Sequence, residues 1–318
     1  MTMQKTTTSE KVATGAAQSK LILVGEHAVV HGQPAIALPF PLIGAESIVE
    51  KSRGQIYLDS SLYSGPMELA PSSLAGIVNT VKHTLKILQI PYRDLLIRIR
   101  SSIPPGKGLG SSASVAIAIV KSLFKYKEEQ YTKEILLQLA NICETYAHGA
   151  PSGIDPLTIT SDRPIWYQKE KPVDYIDPKG NFHFVIADSG QMADTKTAVD
   201  TVKQMLKQAP QKMYKKIERI GDITYQVREA LEKSSKQLLG YLLDEAQKEL
   251  EALGVSDKSL NRLIEIAKSE GALGAKLTGG GNGGCIIALA ENEHHSQLLS
   301  EKLLQYGAHN VWSYELKG

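Results

Sequence analysis

A glycine-rich segment at residues 104–113, with the sequence PPGKGLGSSA, contains residue types suited to binding a phosphate group. Its glycines let the backbone approach a ligand closely and permit the positive φ angles that other residues resist. We expect a helix to begin at about Ser112, because an apolar run follows, and the free N–H groups and dipole at a helix start attract anions. Ser111 and Ser112 add hydroxyls for a phosphate oxygen or a magnesium ion, and Lys107 adds a positive charge. The segment predicts a site for the phosphates of a nucleotide.

Two better-known phosphate loops do not match this segment. The spacing GxxxxGK[ST] of a Walker A loop is absent, and the glycines follow GxGxG rather than the GxGxxG of dinucleotide-binding folds. The competing interpretation is a glycine-rich turn with a serine cap. The full phrase, directly before a predicted helix, favours the phosphate loop over that turn.

Two carboxylates, Glu144 and Asp155, flank a segment in which Gly149, Pro151 and Gly153 predict a tight turn. Phosphoryl transfer needs one carboxylate on a metal ion and a group that handles the proton of the attacking hydroxyl. One Glu and one Ser suffice for magnesium, which prefers oxygen ligands and keeps several waters. Glu144 and His148 also have the i, i+4 spacing of a transition-metal pair, but no third ligand is visible, which favours a surface or capping histidine.

The first apolar strand pattern, at residues 21–24, has Lys20 at its start and Glu26 and His27 just past its end. A lysine beside a catalytic carboxylate would keep it ionised and would lower the pKa of a substrate hydroxyl. His27 can donate a hydrogen bond to an anionic or hydroxylated substrate. His31 has no comparable role and is interpreted as a loop residue.

A second glycine-rich loop, at residues 276–285 (KLTGGGNGGC), has five glycines in six residues and cannot lie inside a helix or strand. Apolar strand-like runs bracket it, which favours a loop pressed against another backbone over a flexible linker. We expect it to support the phosphate loop from the second domain. Cys285 is expected to begin the following strand.

Composition restricts the class of protein. The chain has 318 residues, 42% of them apolar and 22% charged, so we expect two globular domains. Its net charge of +2 is small, so we expect no nucleic-acid or membrane partner. No run of 18 apolar residues exists. Cys143 and Cys285, the only cysteines, form no CxxC motif, which favours a reducing, cytoplasmic setting. The polar residues 1–19 are interpreted as a frayed tail or leader and lack the apolar core of a secretory signal.

Strand and helix patterns alternate without an obvious repeat, which predicts an α+β protein with a domain boundary near residue 165. Strands are predicted at 35–38, ending at Pro39 and Pro41, and at 95–100. Helices are predicted at 112–124 and 134–148. A strand at 183–188 opens the second half. Several helices are expected over 195–252, divided at Pro210 and Gly221, followed by two strands around the glycine loop, a helix near 294–305 and a last strand near 309–315.

The motifs at 19–32, 104–114 and 276–285, with the E-x10-D element at 144–155, together resemble those of the GHMP kinases. This superfamily includes galactokinase, homoserine kinase, mevalonate kinase and phosphomevalonate kinase. The phrase GEHAVVHGQPAIA at 25–37 and the pattern HGxPSGxD at 148–155 are most similar to the mevalonate kinase branch. The phrase that galactokinases use for their sugar is absent. The sequence is therefore identified as similar to an ATP-dependent kinase of mevalonate in isoprenoid precursor synthesis.

The resemblance implies a two-domain α+β fold. A ribosomal S5-like domain would span 1–165, a ferredoxin-like domain would span 166–318, and the active site would lie in the cleft between them. Asp155 would be the catalytic base or electrostatic partner of the substrate hydroxyl, with Lys20 beside it. Ser112 and Glu144 would ligate Mg2+, and Glu26, His27 and Thr195 would face the substrate. The ATP phosphates would be wrapped by Pro104, Pro105, Gly106, Lys107, Gly108, Leu109, Gly110, Ser111 and Ser112.

Two departures from the family pattern stand out. Residues 156–168 contain no glycine, although the family usually has a Gly-Gly pair shortly after the catalytic Asp. Gly280 stands where the family often has Ala, and no functional effect of that change is expected. Alternatives that remain are another GHMP kinase, such as phosphomevalonate or homoserine kinase, and a catalytically dead sensor of ATP and a metabolite. Homodimer formation also stays open.

Overall fold

The computed structural model describes residues 11–148, 152–193 and 195–318. The chain forms two compact units, each assembled from separate stretches of sequence. The first unit takes the described parts of 1–17, 44–102 and 112–151, and the second takes 18–43, 103–111 and the described parts of 152–318. The phosphate loop and the described residues from Ser152 onward therefore belong to the same unit. The sequence-based boundary near residue 165 is instead a single cut that assigns everything before it to one domain and everything after it to the other.

The first unit combines a mixed sheet with three helices. Its strand order is β4-β3-β5-β2, in which β5 lies antiparallel to β2 and parallel to β3. Only part of each of the long strands β1 and β2 belongs to this unit. The elements are β1 (Val12–Val24), β2 (Ala35–Lys51), β3 (Tyr57–Asp59), β4 (Ser64–Pro66), β5 (Leu95–Ser101), α1 (Ala75–Ile87), α2 (Ser111–Lys127) and α3 (Lys133–His148).

Strand β1 corrects the prediction that residues 1–19 are a frayed tail, because it is already extended from Val12 onward. Ala13 and Ala17 are buried, and a β-carbon at Gly15 would lie 2.3 Å from the Ala118 carbonyl oxygen. The strand thus lies directly on the backbone of α2. Such close packing needs small residues, and small residues gave the segment no apolar signal. Residues 1–10 lie outside the described residues.

Strand β2 was predicted to break at Pro39 and Pro41, but it continues from Ala35 to Lys51. Its beginning, 35–37, pairs with β6 (Ile165–Tyr167), and its end, 45–51, pairs with β5. Both prolines lie between these two paired stretches. A proline cannot donate a ladder hydrogen bond, so it is tolerated where the strand changes partners.

The second unit is built on an antiparallel sheet with the order β11-β8-β10-β9. Phe184 and Ile186 of β8 face one hydrophobic cluster, while Val185 and Ala187 face another. Since successive side chains point to opposite faces, both faces of this sheet are covered, which explains the continuous apolar runs in its sequence. The four strands of this sheet are β8 (Phe182–Asp188), β9 (Gly274–Thr278), β10 (Cys285–Ala290) and β11 (Asn310–Leu316). Two short strands of this unit, β6 (Ile165–Tyr167) and β7 (Asp174–Tyr175), pair with each other and belong to the sheet that contains β2.

Helices cover that sheet, and several helices between 195 and 252 are confirmed. Pro210 begins α6 as predicted, but Gly221 lies inside α6 and does not interrupt it. A β-carbon at Gly221 would lie 2.1 Å from Gln33 Oε1, so this glycine permits a close contact. Within the described residues, no helix has the length and apolar character to cross a membrane. The helices are α4 (Ile154–Ile159), α5 (Thr195–Gln208), α6 (Pro210–Glu232), α7 (Lys236–Ala252), α8 (Lys258–Ser269) and α9 (Glu293–Gln305).

Candidate active site

The phosphate loop has the backbone conformation that its glycines predict. Gly106, Gly108 and Gly110 have φ angles of 66°, 75° and 75°, in the left-handed region that only glycine adopts without strain. Helix α2 begins directly after them at Ser111. The loop therefore leads into a helix N-terminus, the arrangement that presents backbone N–H groups to an anion.

The second glycine-rich loop packs against the phosphate loop, as expected from sequence. A β-carbon at Gly108 would lie 3.4 Å from the Gly279 α-carbon, and one at Gly284 would lie 3.0 Å from the Lys107 carbonyl oxygen. Two backbones thus meet with no side chain between them. Cys285 begins β10, as predicted.

Lys107 does not present a free charge to this loop. Its Nζ lies 2.7 Å from Asp188 Oδ1 and donates to the Gln191 carbonyl at 2.8 Å. Both side chains are buried, and Asp188 is fully inaccessible. The sequence-based interpretation of Lys107 as a positive charge for a phosphate stays a prediction, and in this structure a buried carboxylate is paired with its ammonium.

Lys20 and Asp155 come together beside the phosphate loop. Lys20 Nζ lies 3.0 Å from Asp155 Oδ1, and the Lys20 side chain is 6% exposed while that of Asp155 is 20% exposed. A β-carbon at Gly110 would lie 2.9 Å from Lys20 Cγ. Ser19 Oγ donates to the Leu109 carbonyl at 2.6 Å, which fixes this end of β1 to the loop. The carboxylate, the ammonium and the end of the loop thus form one cluster in the second unit.

Asp155 is held in the first turn of α4, next to Gly153 with a φ of 83°. The Tyr167 hydroxyl donates to the Ser152 carbonyl and anchors the chain just before that turn. Burial raises the pKa of the Tyr167 phenol, so it stays protonated as a donor. The part of the predicted turn at Gly149 and Pro151 lies outside the described residues.

The residues after Asp155 continue as helix α4 although none of them is a glycine. Helix α4 ends at Ile159, and Thr160 Oγ1 donates to the Pro156 carbonyl at 2.8 Å. Gln18 Nε2 donates to the carbonyl of Ser161 at 2.6 Å, which connects this turn to β1. Hydroxyl and amide side chains therefore stabilise the turn where the family has a glycine pair.

Glu26 is buried and is paired with a lysine of the second glycine-rich segment. Lys276 Nζ donates to Glu26 Oε1 and to the Leu277 carbonyl, and Lys276 is fully inaccessible. Burial raises the pKa of Glu26 and lowers the pKa of Lys276, while their mutual attraction opposes both shifts. Glu26 Oε2 makes no hydrogen bond within the described residues.

His27 is fixed against the same glycine-rich segment. It has a φ of 61° and lies at the start of a short 3-10 helix, Ala28–His31. Its Nε2–H donates to the Gly280 carbonyl at 2.9 Å, since a carbonyl can only accept. Burial lowers the pKa of His27 to about 4. His27 is therefore neutral at neutral pH.

Thr195, the first residue of α5, lies on the other side of Gly280. A β-carbon at Gly280 would lie 2.3 Å from Thr195 Oγ1. The change from the family's alanine to Gly280 is therefore matched to the position of Thr195. An alanine here would therefore have to displace Thr195 or the loop, and the expectation that the glycine is without functional effect stays a prediction.

Ser112 and Glu144 belong to the first unit, where α2 and α3 meet. Ser112 Oγ lies 3.2 Å from the thiol of Cys143, the residue before Glu144. The hydroxyl of Ser112 and the buried carboxylate of Glu144 are hard oxygen donors of the kind that magnesium prefers. The described residues contain no group of three or more His, Cys, Asp or Glu side chains suited to a metal ion. A magnesium site with few protein ligands and several waters fits both observations.

Sequence reasoning missed Asp188 and gave Lys276 no role. Asp188 ends the apolar run of β8, and a carboxylate at the end of a buried strand was the only signal. Lys276 is the first residue of the second glycine-rich segment, but its partner Glu26 lies 250 positions earlier in the chain. Such partners carry no local sequence signal.

Two family descriptions match the chain. "GHMP kinases N terminal domain" matches residues 76–161, and "GHMP kinases C terminal" matches residues 227–309. The chain is 32% identical over 304 residues to the mevalonate kinase of Pyrococcus furiosus, covering 87% of this chain and 89% of that protein. It is 30% identical over 313 residues to the mevalonate kinase of Pyrococcus abyssi, covering 92% and 93%.

The fold also matches a solved structure along nearly its full length. The crystal structure of L. major mevalonate kinase in complex with R-mevalonate superposes with a TM-score of 0.83 at 26% identity, covering 99% of both chains.

Proposed function

The chain belongs to the GHMP kinase family, within its mevalonate kinase branch, and on that premise we propose that it transfers the γ-phosphate of ATP to the primary hydroxyl of mevalonate. It is an ATP-dependent small-molecule kinase. The observation that carries the proposal is the ion pair of Lys20 and Asp155, 3.0 Å apart, at the end of the phosphate loop.

The pair supplies what the transfer requires of the protein at the acceptor. The substrate hydroxyl oxygen forms a bond to the γ-phosphorus, the bond from phosphorus to the bridging oxygen of ADP breaks, and the hydroxyl proton leaves. Asp155 is the base or electrostatic partner for that proton. Lys20 lies 3.0 Å from that carboxylate, and its positive charge would stabilise negative charge that develops on a hydroxyl oxygen placed beside it.

The ATP phosphates are proposed to bind the backbone of the phosphate loop. Residues 106–111 offer left-handed glycines and the N-terminus of α2, both of which favour an anion. Pro104 and Pro105 end the preceding chain without adding donors. We assign the loop's contribution to its N–H groups and to the hydroxyls of Ser111 and Ser112, because the Lys107 ammonium is bound to Asp188.

Magnesium is proposed to be held by Ser112 and Glu144. When bound, the ion would neutralise charge on the transferring phosphate. Ser112 follows the phosphate loop directly in the chain, and α3 places Glu144 next to Cys143, which contacts Ser112. The chain's own contribution is to place two oxygen donors on two helices that contact each other through Ser112 and Cys143.

The acceptor is proposed to contact Glu26, His27 and Thr195. Glu26 Oε2 has no hydrogen-bond donor within the described residues and can accept one from a substrate hydroxyl. Neutral His27 has its Nε2–H committed to Gly280, so its Nδ1 is left to act as an acceptor. Thr195 Oγ1 lies at the start of α5 and can either donate or accept.

Phosphomevalonate kinase and homoserine kinase are the alternative kinases. The phosphate that phosphomevalonate already carries would call for further cations, yet the lysine of the phosphate loop is paired with Asp188. A non-catalytic sensor would not need the ion pair of Lys20 and Asp155 beside the phosphate loop. We further propose that the reaction serves isoprenoid precursor synthesis in the cytoplasm, with no nucleic-acid or membrane partner, in keeping with two free cysteines and a net charge of +2.

A coupled assay of ADP release tests the proposal. Purified protein with Mg-ATP is offered mevalonate, phosphomevalonate, homoserine or galactose at equal concentrations. We expect kcat/KM for mevalonate to exceed the others by about 100-fold or more. Faster turnover of another acceptor would replace mevalonate as the substrate, and ATP binding without turnover of any acceptor would support the sensor.

A further inference from the structure

Lys107 and Asp188 form a buried ion pair that the proposed transfer reaction does not use. Lys107 Nζ lies 2.7 Å from Asp188 Oδ1, and their side chains are 8% and 0% exposed. Lys107 also donates to the Gln191 carbonyl at 2.8 Å. The lysine therefore holds both the end of β8 and the chain that follows it.

Residues 189–193, here called the connector, link three segments of the second unit. Ala193 N donates to the Gly106 carbonyl at 2.6 Å, which attaches the connector to the phosphate loop. Ser189 N donates to the Gly284 carbonyl at 2.9 Å, and Gly284 N donates to the Gln191 carbonyl at 3.0 Å. The connector thus lies between the phosphate loop and the second glycine-rich loop and is bonded to each.

Within the described part of the chain, Asp188 has polar partners from the phosphate loop, the connector and β11. Besides the Lys107 ammonium, its Oδ1 accepts from Gly190 N at 2.9 Å, and its Oδ2 has Asn310 Nδ2 at 3.5 Å. A fully buried carboxylate is costly without a cation, so Lys107 could contact a phosphate only by leaving Asp188 uncompensated. The structure therefore disfavours a direct contact between Lys107 and ATP.

We propose that Lys107 is a positioning residue, whose ion pair with Asp188 locks the connector against the phosphate loop. The ion pair would fix the backbone that receives the ATP phosphates, and it would fix the connector, which ends at Ala193, two residues before Thr195. This proposal rests on the proposed function, which identifies the nucleotide as ATP and the acceptor as mevalonate. It states that Lys107 and Asp188 affect ATP binding through their ion pair, so that removing either residue has the same effect as removing both.

A double-mutant cycle on Mg-ATP binding tests this assignment. Lys107→Met, Asp188→Asn and the double variant are titrated with Mg-ATP by calorimetry in the absence of any acceptor. We expect each single variant to weaken ATP binding about tenfold and the double variant to bind no worse than either, because one interaction is lost in all three. Lys107→Arg should bind within about threefold of wild type, since it keeps the cation.

A direct phosphate contact gives a different pattern. Lys107→Met would then weaken ATP binding while Asp188→Asn left it unchanged or tighter, and that result would overturn the proposal. Wild-type affinity in both single variants would overturn it as well. Because no acceptor is present, these outcomes are independent of whether mevalonate is the substrate, which wild-type turnover decides separately.

A matched control separates positioning from general loss of stability. Lys216 and Glu249 form a partly buried ion pair at 2.9 Å between α6 and α7, away from the connector. Lys216→Met should lower the unfolding temperature and leave ATP affinity unchanged. Hydrogen exchange adds a readout for any variant that folds poorly. Lys107→Met should speed exchange at the amides of Ala193 and Gly284, and unchanged exchange there would contradict the proposed positioning role of Lys107.

Kinetics with mevalonate give a further readout. If Lys107→Met lets the connector shift, KM for mevalonate should rise about threefold or more along with KM for ATP. Lys216→Met should change neither constant. A rise in KM for ATP alone would contradict the part of the proposal that concerns Thr195.

Discussion

Lys20 joins two parts of the site, because its ammonium lies 3.0 Å from the Asp155 carboxylate while its stem packs on Gly110 of the phosphate loop. The position of the carboxylate relative to the loop is thereby fixed through one side chain. We propose that the lysine both aligns Asp155 and stabilises negative charge developing at the substrate oxygen.

Replacing Lys20 should impair the chemical step more than nucleotide binding. Lys20→Met removes the cation beside Asp155, and we expect kcat to fall about 100-fold while the dissociation constant of Mg-ATP changes less than threefold. Lys20→Arg should recover part of kcat. Steady-state kinetics and calorimetry measure the two quantities. Lys233→Met, which alters an exposed pair with Glu229, serves as the control. Wild-type kcat in Lys20→Met would exclude the assigned role.

Ser112 is expected to control the magnesium requirement. Ser112→Ala removes one oxygen donor, so the magnesium concentration for half-maximal activity should rise about tenfold. Ser122→Ala is the matched control, because Ser122 is a buried serine of the same helix that bonds to Ser47. A magnesium titration that is identical for Ser112→Ala and wild type would remove Ser112 from the metal site.

Gly280 and Thr195 should show a mutual dependence. Gly280→Ala places a methyl group 2.3 Å from Thr195 Oγ1, so the threonine or the loop must move, and KM for mevalonate should rise about tenfold or more. Thr195→Ala removes the closest contact, so the double variant should lose less than the sum of the two single effects. Strict additivity of the two effects on kcat/KM would show that the residues do not interact.

His27 should make stability depend on acidity. Burial lowers its pKa from the usual 6.5 to about 4, and the charges of Lys276 and His31 act in the same direction. Between these pH values the unfolded chain binds a proton that the folded protein excludes. The free energy of unfolding should therefore fall as pH drops from about 6.5 toward 4, by up to about 3 kcal/mol.

His27→Gln tests this titration, because glutamine cannot bind a proton and can still donate to the Gly280 carbonyl. Urea unfolding at pH 7.5 and at pH 5 gives the change in unfolding free energy for each protein. The variant should show a smaller loss at pH 5 than wild type. Equal losses would assign the acid sensitivity to other groups.

Most of the main elements were predictable because their signals are local. Glycines at 106, 108 and 110 predict left-handed backbone, and apolar runs such as 183–188 predict buried strands, both of which the structure confirms. Strand β1 was missed because its start is built from alanine and glycine, which pack on α2 without an apolar signature.

Electrostatic partners were the least predictable part of the site. Lys107 appeared available for a phosphate, yet it pairs with Asp188, 81 positions away by their residue numbers. Glu26 and Lys276 meet across a still longer separation. Such pairs follow from how the two glycine-rich loops and β8 pack together, and composition or spacing within any one segment cannot reveal them.

The most direct test of the central claim is single-turnover phosphate transfer to mevalonate by Asp155→Asn. This substitution keeps the size of the side chain and removes its charge. We predict that Mg-ATP binds within about threefold of wild type and that the rate of transfer falls at least about 1000-fold. A transfer rate equal to that of wild type would contradict the assignment of Asp155, and with it the chemistry proposed for this site.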